Sequence, residues 1–204
     1  MTEANETFAG SGLKNVTFVN EKGGASARTS IPRSMFNKAK VLESIELPET
    51  VTTISDHVFY GASALKDIKL PDGLLTIGEF AFEECTSLKE IELPDSLTTI
   101  NKGAFQNATA LTKITVPELV NSLGDYVFNG CTALESAVLP DILTTIPSHE
   151  FFNCSALTTV NIPAETVTIK ASAFENCASR RYCHYLFVYF ACTLMGILND
   201  PKSQ

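Results

Sequence analysis

Three histidines, six cysteines and a regular series of carboxylates are the residues of this 204-residue chain that could do chemistry. A histidine pair binds zinc or relays a proton only where the rings converge, so the spacing of His57 and His149 decides their use. Cys131, Cys154 and Cys177 recur at one interval, as a thiol series for redox or metal work would have to. None belongs to a CxxC or a Cys/His cluster of zinc spacing, and Ala39, Ala62 and Ala108 hold the same place elsewhere, so the position reads as a slot for a small apolar side chain. Glu49, Asp72, Asp95, Glu118 and Asp141 each follow a proline. Stacked carboxylates of this kind would suit Ca²⁺, a hard cation with oxygen ligands, but Pro-Asp is also what a tight turn requires. The GxSxG, HExxH, P-loop and GxGxxG motifs do not occur. The chain is therefore read as non-enzymatic, with no catalytic, cofactor or metal residues assigned.

What positions these residues is a repeat. Pro48, Pro71, Pro94, Pro117, Pro140 and Pro163 are spaced by 23. Phe36, Phe59, Phe82, Phe105, Phe128, Phe151 and Phe174 keep the same interval, as do Leu42, Leu65, Leu88, Leu111, Leu134 and Leu157. One unit reads LxxIxLPxxLTTIxxxAFxxC. The alternation of IxL predicts a half-buried strand that the proline ends, and LTTI predicts a second short extended segment. AFxxC spaces its apolar groups by three, as a tight turn or short helix would. A unit this short cannot close its own core. The coils must stack, strand on parallel strand, into a solenoid at about 4.8 Å per layer. His57 and His149 then lie four coils apart, about 19 Å, and cannot share an ion.

The same register accounts for the composition. Thirteen Phe and no Trp fit one ring per coil in a stacked interior ladder. With 15 basic against 23 acidic residues the net charge is −8, the wrong sign for neutralising phosphates, so no nucleic-acid partner is expected. Thr53, Thr76, Thr99, Ser122, Thr145 and Thr168 form a hydroxyl column read as cross-strand pairs on a solvated face. Glu46, Lys69 and Glu92 alternate in sign down one column and are expected to pair with each other. Two outward columns turn apolar in the fourth and fifth coils, at Leu119, Val138 and Ile142. These three are the candidate partner-binding residues, with inward tucking of Leu119 and Ile142 as the competing reading.

LKEIELPDSLTTINKGAFQNATALTKITVP, with its central proline, its TSI-like segment and AFxxC, resembles the leucine-rich repeat of the BspA-like, or Treponema pallidum, type over residues 35–178. The resemblance implies a curved parallel solenoid that binds proteins, often matrix or host proteins, in adhesion at cell surfaces. It supplies no catalytic residues. Residues 1–34 read as a degenerate N-terminal coil or cap, in which LKNVTFVN stands for LESIELPE and EKGGASAR adds six residues to the period. Residues 179–204 lie outside the repeat. Met1 to Asn15 has neither a basic start nor an apolar run, which predicts a cytoplasmic or tail-anchored chain, whereas the resemblance implies the cell surface. The apolar run that begins at Tyr182 and ends at Leu198 fits three roles: a membrane anchor, a cap on the last coil, or an accident of a shifted reading frame. An intracellular interaction scaffold and a calcium-dependent binder are the alternatives to a surface adhesion module.

Overall fold

A computed structural model describes residues 8–18 and 28–177. The tail from Tyr182 to Leu198 lies outside these residues. Each coil but the third contributes two short strands. The N-terminal coil has β1 (Asn15–Thr17) and β2 (Ser30–Ile31), the first repeat β3 (Ser44–Glu46) and β4 (Thr53–Ile54), the second β5 (Asp67–Lys69) and β6 (Thr76–Ile77). The third repeat supplies only β7 (Thr99–Ile100). The fourth supplies β8 (Lys113–Thr115) and β9 (Ser122–Leu123), the fifth β10 (Ser136–Val138) and β11 (Thr145–Ile146), the sixth β12 (Thr159–Asn161) and β13 (Thr168–Ile169). All pair in parallel and in register, Ile45 opposite Ile68 and Ala137 opposite both Ile114 and Val160. One register differs. Asn15 lies opposite Ser44, 29 positions on, while Ser30 lies opposite Thr53 at the ordinary interval of 23.

The third side of each coil is a chain of hydrogen-bonded turns, and no helix occurs among the described residues. The turn, of the two forms that the AFxxC spacing allowed, is the one adopted. Its amides alternate in direction. After β2 those of Ser34, Phe36 and Lys38 donate to the Asp56, Val58 and Tyr60 carbonyls of the next coil, while those of Met35, Asn37 and Ala39 donate back three residues within their own coil. A chain that alternates in this way cannot hold helical dihedrals throughout. Ser34 and Lys38 take φ of 57° and 55°, in the left-handed region, and the same two columns repeat it in every later coil, including at Phe80 and Tyr126. A bulky side chain in that region costs of order 1–2 kcal/mol, which the stacking between coils must offset.

Under the three sides runs the phenylalanine spine. Phe36, Phe59, Phe82, Phe105, Phe128 and Phe151 are wholly buried. Successive rings stack, from 5.2 Å between Phe82 and Phe105 to 5.8 Å between Phe105 and Phe128. Phe8 extends the stack at the N-terminal end and Phe174 at the other. The spine is continuous, but the ladders over it are not. The first-strand face divides into β1-β3-β5 and β8-β10-β12, with residues 90–92 of the third coil in neither sheet. The second-strand face divides between β9 and β11.

Candidate functional site

The thiols and histidines belong to the packing. Cys85, Cys131 and Cys154 are buried free thiols whose Sγ atoms donate to the carbonyls of Phe59, Phe105 and Phe128. Burial pushes the Cys131 thiol up to about 12 and the other two higher still, so a thiolate does not form near neutrality. Cys177 Sγ donates to Phe151 in the same manner. His57 stacks on Phe80 at 5.3 Å and His149 on Tyr126 at 4.6 Å, both on the left-handed turn column. Between these pairs the column holds Gly103, where a Cβ would run into the Phe80 ring. Lys102 fills the interval, its Nζ lying 5.8 Å from the Phe80 ring and 5.6 Å from that of Tyr126.

The acidic column after the proline behaves as turn chemistry where it can be checked: the Asp141 amide donates to Glu118 Oε2. Among the described residues no group of three or more His, Cys, Asp or Glu is placed to hold a metal ion. The hydroxyl column pairs as expected, Thr53 with Thr76, Thr76 with Thr99 and Thr99 with Ser122, and again Thr145 with Thr168. Lys69 departs from expectation. Its ammonium meets Glu49 Oε1 at 3.3 Å, across the proline corner of the preceding coil, and not Glu46 or Glu92 in its own column. The long side chain reaches diagonally to a carboxylate on the turn, and the pair is largely exposed.

Leu119, Val138 and Ile142 all point outward, exposing 56%, 44% and 51% of their surfaces. Leu119 and Ile142 stand in successive coils directly after the Pro117-Glu118 and Pro140-Asp141 corners, whose prolines are buried and whose carboxylates are exposed, and Val138 ends β10 next to them. Pro fixes the corner and the following residue faces solvent, so inward tucking does not occur. The neighbouring inward positions are already filled by Val120 and Leu143. This apolar patch sits beside the point where β9 and β11 fail to pair.

Glu150 is the residue that sequence reasoning passed over. It is wholly buried in a column otherwise made of Met35, Val58, Ala81, Ala104, Val127 and Ala173, and neither carboxyl oxygen has a hydrogen-bond partner. Burial raises its carboxyl well above the ordinary 4.5. The Asp125 carboxylate adds to that effect. The signal was available, since a charged residue in an apolar column is visible in the register alone.

The face made by first strands carries a groove of about 900 Å³ in the N-terminal half, running from Asn15 to Asp95. Among the described residues no helix is long and apolar enough to cross a membrane.

A family model described as the BspA type leucine-rich repeat region, in six copies, matches residues 4–135 and 52–181. No curated protein matches the chain. Among solved structures, a T. pallidum leucine-rich repeat protein is 28% identical with a TM-score of 0.78, over 85% of this chain and 83% of that one. A leucine-rich repeat protein from Bacteroides ovatus is 31% identical with a TM-score of 0.73, over 79% of this chain. A leucine-rich cell surface protein from Faecalibacterium prausnitzii is 32% identical with a TM-score of 0.73, over 81% of this chain. The chain spans 43% and 45% of the lengths of the latter two.

Proposed function

Since the chain belongs to the BspA-type leucine-rich repeat family, a family of protein-interaction repeats, we propose that it is a non-enzymatic recognition module that binds a host or matrix protein at a cell surface through Leu119, Val138 and Ile142. The observation that carries this reading is the exposure of three large aliphatic side chains on one corner of two adjacent coils. A soluble solenoid gains nothing in its own stability from leaving them in water, whereas apolar groups at the centre of an interface contribute most of its energy. Placement at the cell surface is supported by the F. prausnitzii protein, which is a cell surface protein.

The test is binding of the purified chain to immobilised matrix proteins, with the triple variant Leu119→Ser, Val138→Ser and Ile142→Ser beside the unaltered chain. Loss of about tenfold or more in affinity with an unchanged unfolding midpoint is the expected result. Binding that survives the triple change removes the patch from the interface, and unfolding by it would make the three side chains core. Recovery of the untagged chain in the cytosol alone, by fractionation, would favour an intracellular scaffold instead.

A further inference from the structure

We propose that the N-terminal half carries a second binding site, an acidic groove on the first-strand face that takes an extended, lysine- or arginine-rich segment of a partner protein. This does not depend on the apolar patch, which lies in other coils.

The groove exists because the third coil leaves the sheet. In register, residues 90–92 should pair with β5 on one side and β8 on the other. Among the described residues no backbone hydrogen bond joins Ile91 or Glu92 to either neighbour; the amide of Thr112 to Lys89 is the link that remains at this corner. The side chains supply a cause. The 23-residue register sets Asp67 directly beside Glu90, and like charges at facing positions oppose pairing. Lys69, which should stand between Glu46 and Glu92 and screen them, has swung to Glu49. Beneath the gap the second strands β6 and β7 stay paired and Phe82 stays stacked on Phe105, so the opening is confined to one face.

The result is amphipathic. Ile68 and Leu93 in the floor are half buried, as Val160 and Ile162 of the same columns are in the sixth coil, while Leu70 and Ile91 beside them are buried. Glu46, Asp67, Asp72, Glu90, Glu92 and Asp95 line the groove against one ammonium, that of Lys69. Glu90 already meets Lys113 at the far rim, at 3.3 Å. An apolar floor under carboxylate walls matches a side chain with an aliphatic stem and a cationic head, which is lysine or arginine.

Length selects a polypeptide over a simple ion. The lining spans four coils from β1 to the third repeat, about 14 Å at one layer spacing each, or four to five residues of extended chain at about 3.3 Å. A cation between Asp67 and Glu90 would also remove the repulsion that holds the coil open. Binding and closure of the ladder are then coupled.

The experiment is fluorescence anisotropy of a dye-labelled pentalysine peptide with the whole chain, at low and at high salt. Binding should weaken steeply with salt. The variant Asp67→Asn, Glu90→Gln and Glu92→Gln should lose about tenfold or more in affinity, and Glu92→Gln alone about threefold. Removing equal charge elsewhere, with Glu118→Gln, Glu135→Gln and Glu165→Gln, should leave binding within about twofold. All are amide-for-carboxylate changes at exposed positions or at the groove wall, and circular dichroism checks that each variant is folded. Equal loss in the two triple variants, or no loss in either, overturns the proposal, as does spermine or Ca²⁺ displacing the peptide at comparable concentration. The Leu119, Val138 and Ile142 variant should bind pentalysine normally, so failure of this site and failure of the apolar patch give different results.

Discussion

The N-terminal and C-terminal halves of the solenoid break their ladders in opposite ways. In the third coil it is the first-strand face that opens, although its residues, EIEL, keep the alternation of a half-buried strand. Between the fourth and fifth coils it is the second-strand face. There Asn121, Ser122 and Leu123 stand where the first, third and fifth coils have Thr-Thr-Ile, and the loss is of β-branched side chains that favour extended backbone. One half presents carboxylates over a groove and the other aliphatic side chains on a corner. The spine passes beneath both without interruption, Phe105 to Phe128 at 5.8 Å and Phe128 to Phe151 at 5.6 Å. The difference teaches that stability and specialisation are divided: the inward columns hold the array, which leaves any one ladder free to open where its outward residues conflict.

The sharpest way to break this division is at the spine, midway between the two surfaces. Phe105→Ala should cost about 3–5 kcal/mol in chemical denaturation, because a wholly buried ring leaves a cavity that flanking rings cannot fill. Thr99→Ala on the half-buried second-strand face should cost under about 1 kcal/mol. Similar costs for the two would mean that the ladders, and not the spine, carry the array.

Glu150 sharpens the comparison from the C-terminal side. Replacing this unpartnered buried carboxyl by Val, the residue of the same column at Val58 and Val127, should stabilise the array by about 1–3 kcal/mol near neutral pH. The pH dependence follows from the direction of the shifts. Glu150 in the folded chain holds its proton well above 4.5, and Glu83, through burial and then Glu84, is pushed up to about 7. Between the ordinary value of 4.5 and these higher values the folded chain binds more protons than the unfolded one. Stability contributed by these groups is therefore greatest at or below pH 4.5 and declines as pH rises through 7 and beyond. Thermal midpoints measured across that range should fall with pH, and the slope should be smaller in Glu150→Val. An unchanged slope would place the titration elsewhere.

The smallest effect belongs to the N-terminal break. Asp67→Ser, which gives the second coil the residue that Ser44 is in the first, should stabilise the chain by about 0.2–1 kcal/mol and slow amide exchange at Ile91 and Glu92. Destabilisation would show that like-charge opposition is not what keeps the third coil out of the sheet.

Much of the fold was legible because a solenoid writes its third dimension into one number. The interval of 23 assigns every residue a column, and a column that is Phe or Leu in each coil must face inward. That argument reached the spine, the two strands and the outward Leu119, Val138 and Ile142. It left the choice between exposure and tucking at that corner open, because both satisfy the same pattern; the prolines and the filled positions of Val120 and Leu143 decided it. The columns also contained Glu150 and the succession of Asp67 and Glu90, which reading down each column for its exception would have found.

By itself the sequence determined the period, the parallel stacking and the identity of the core, since hydrophobic burial repeated at a fixed interval admits one arrangement. Only the tertiary structure decided where the ladders part and which partner each charge takes. Those depend on small differences among near-equal contacts, as when Lys69 can reach a carboxylate in its own column or one across a corner. A repeat makes the large energies periodic and predictable, while the local imbalances that open a groove or bare a patch are settled by geometry between neighbouring coils.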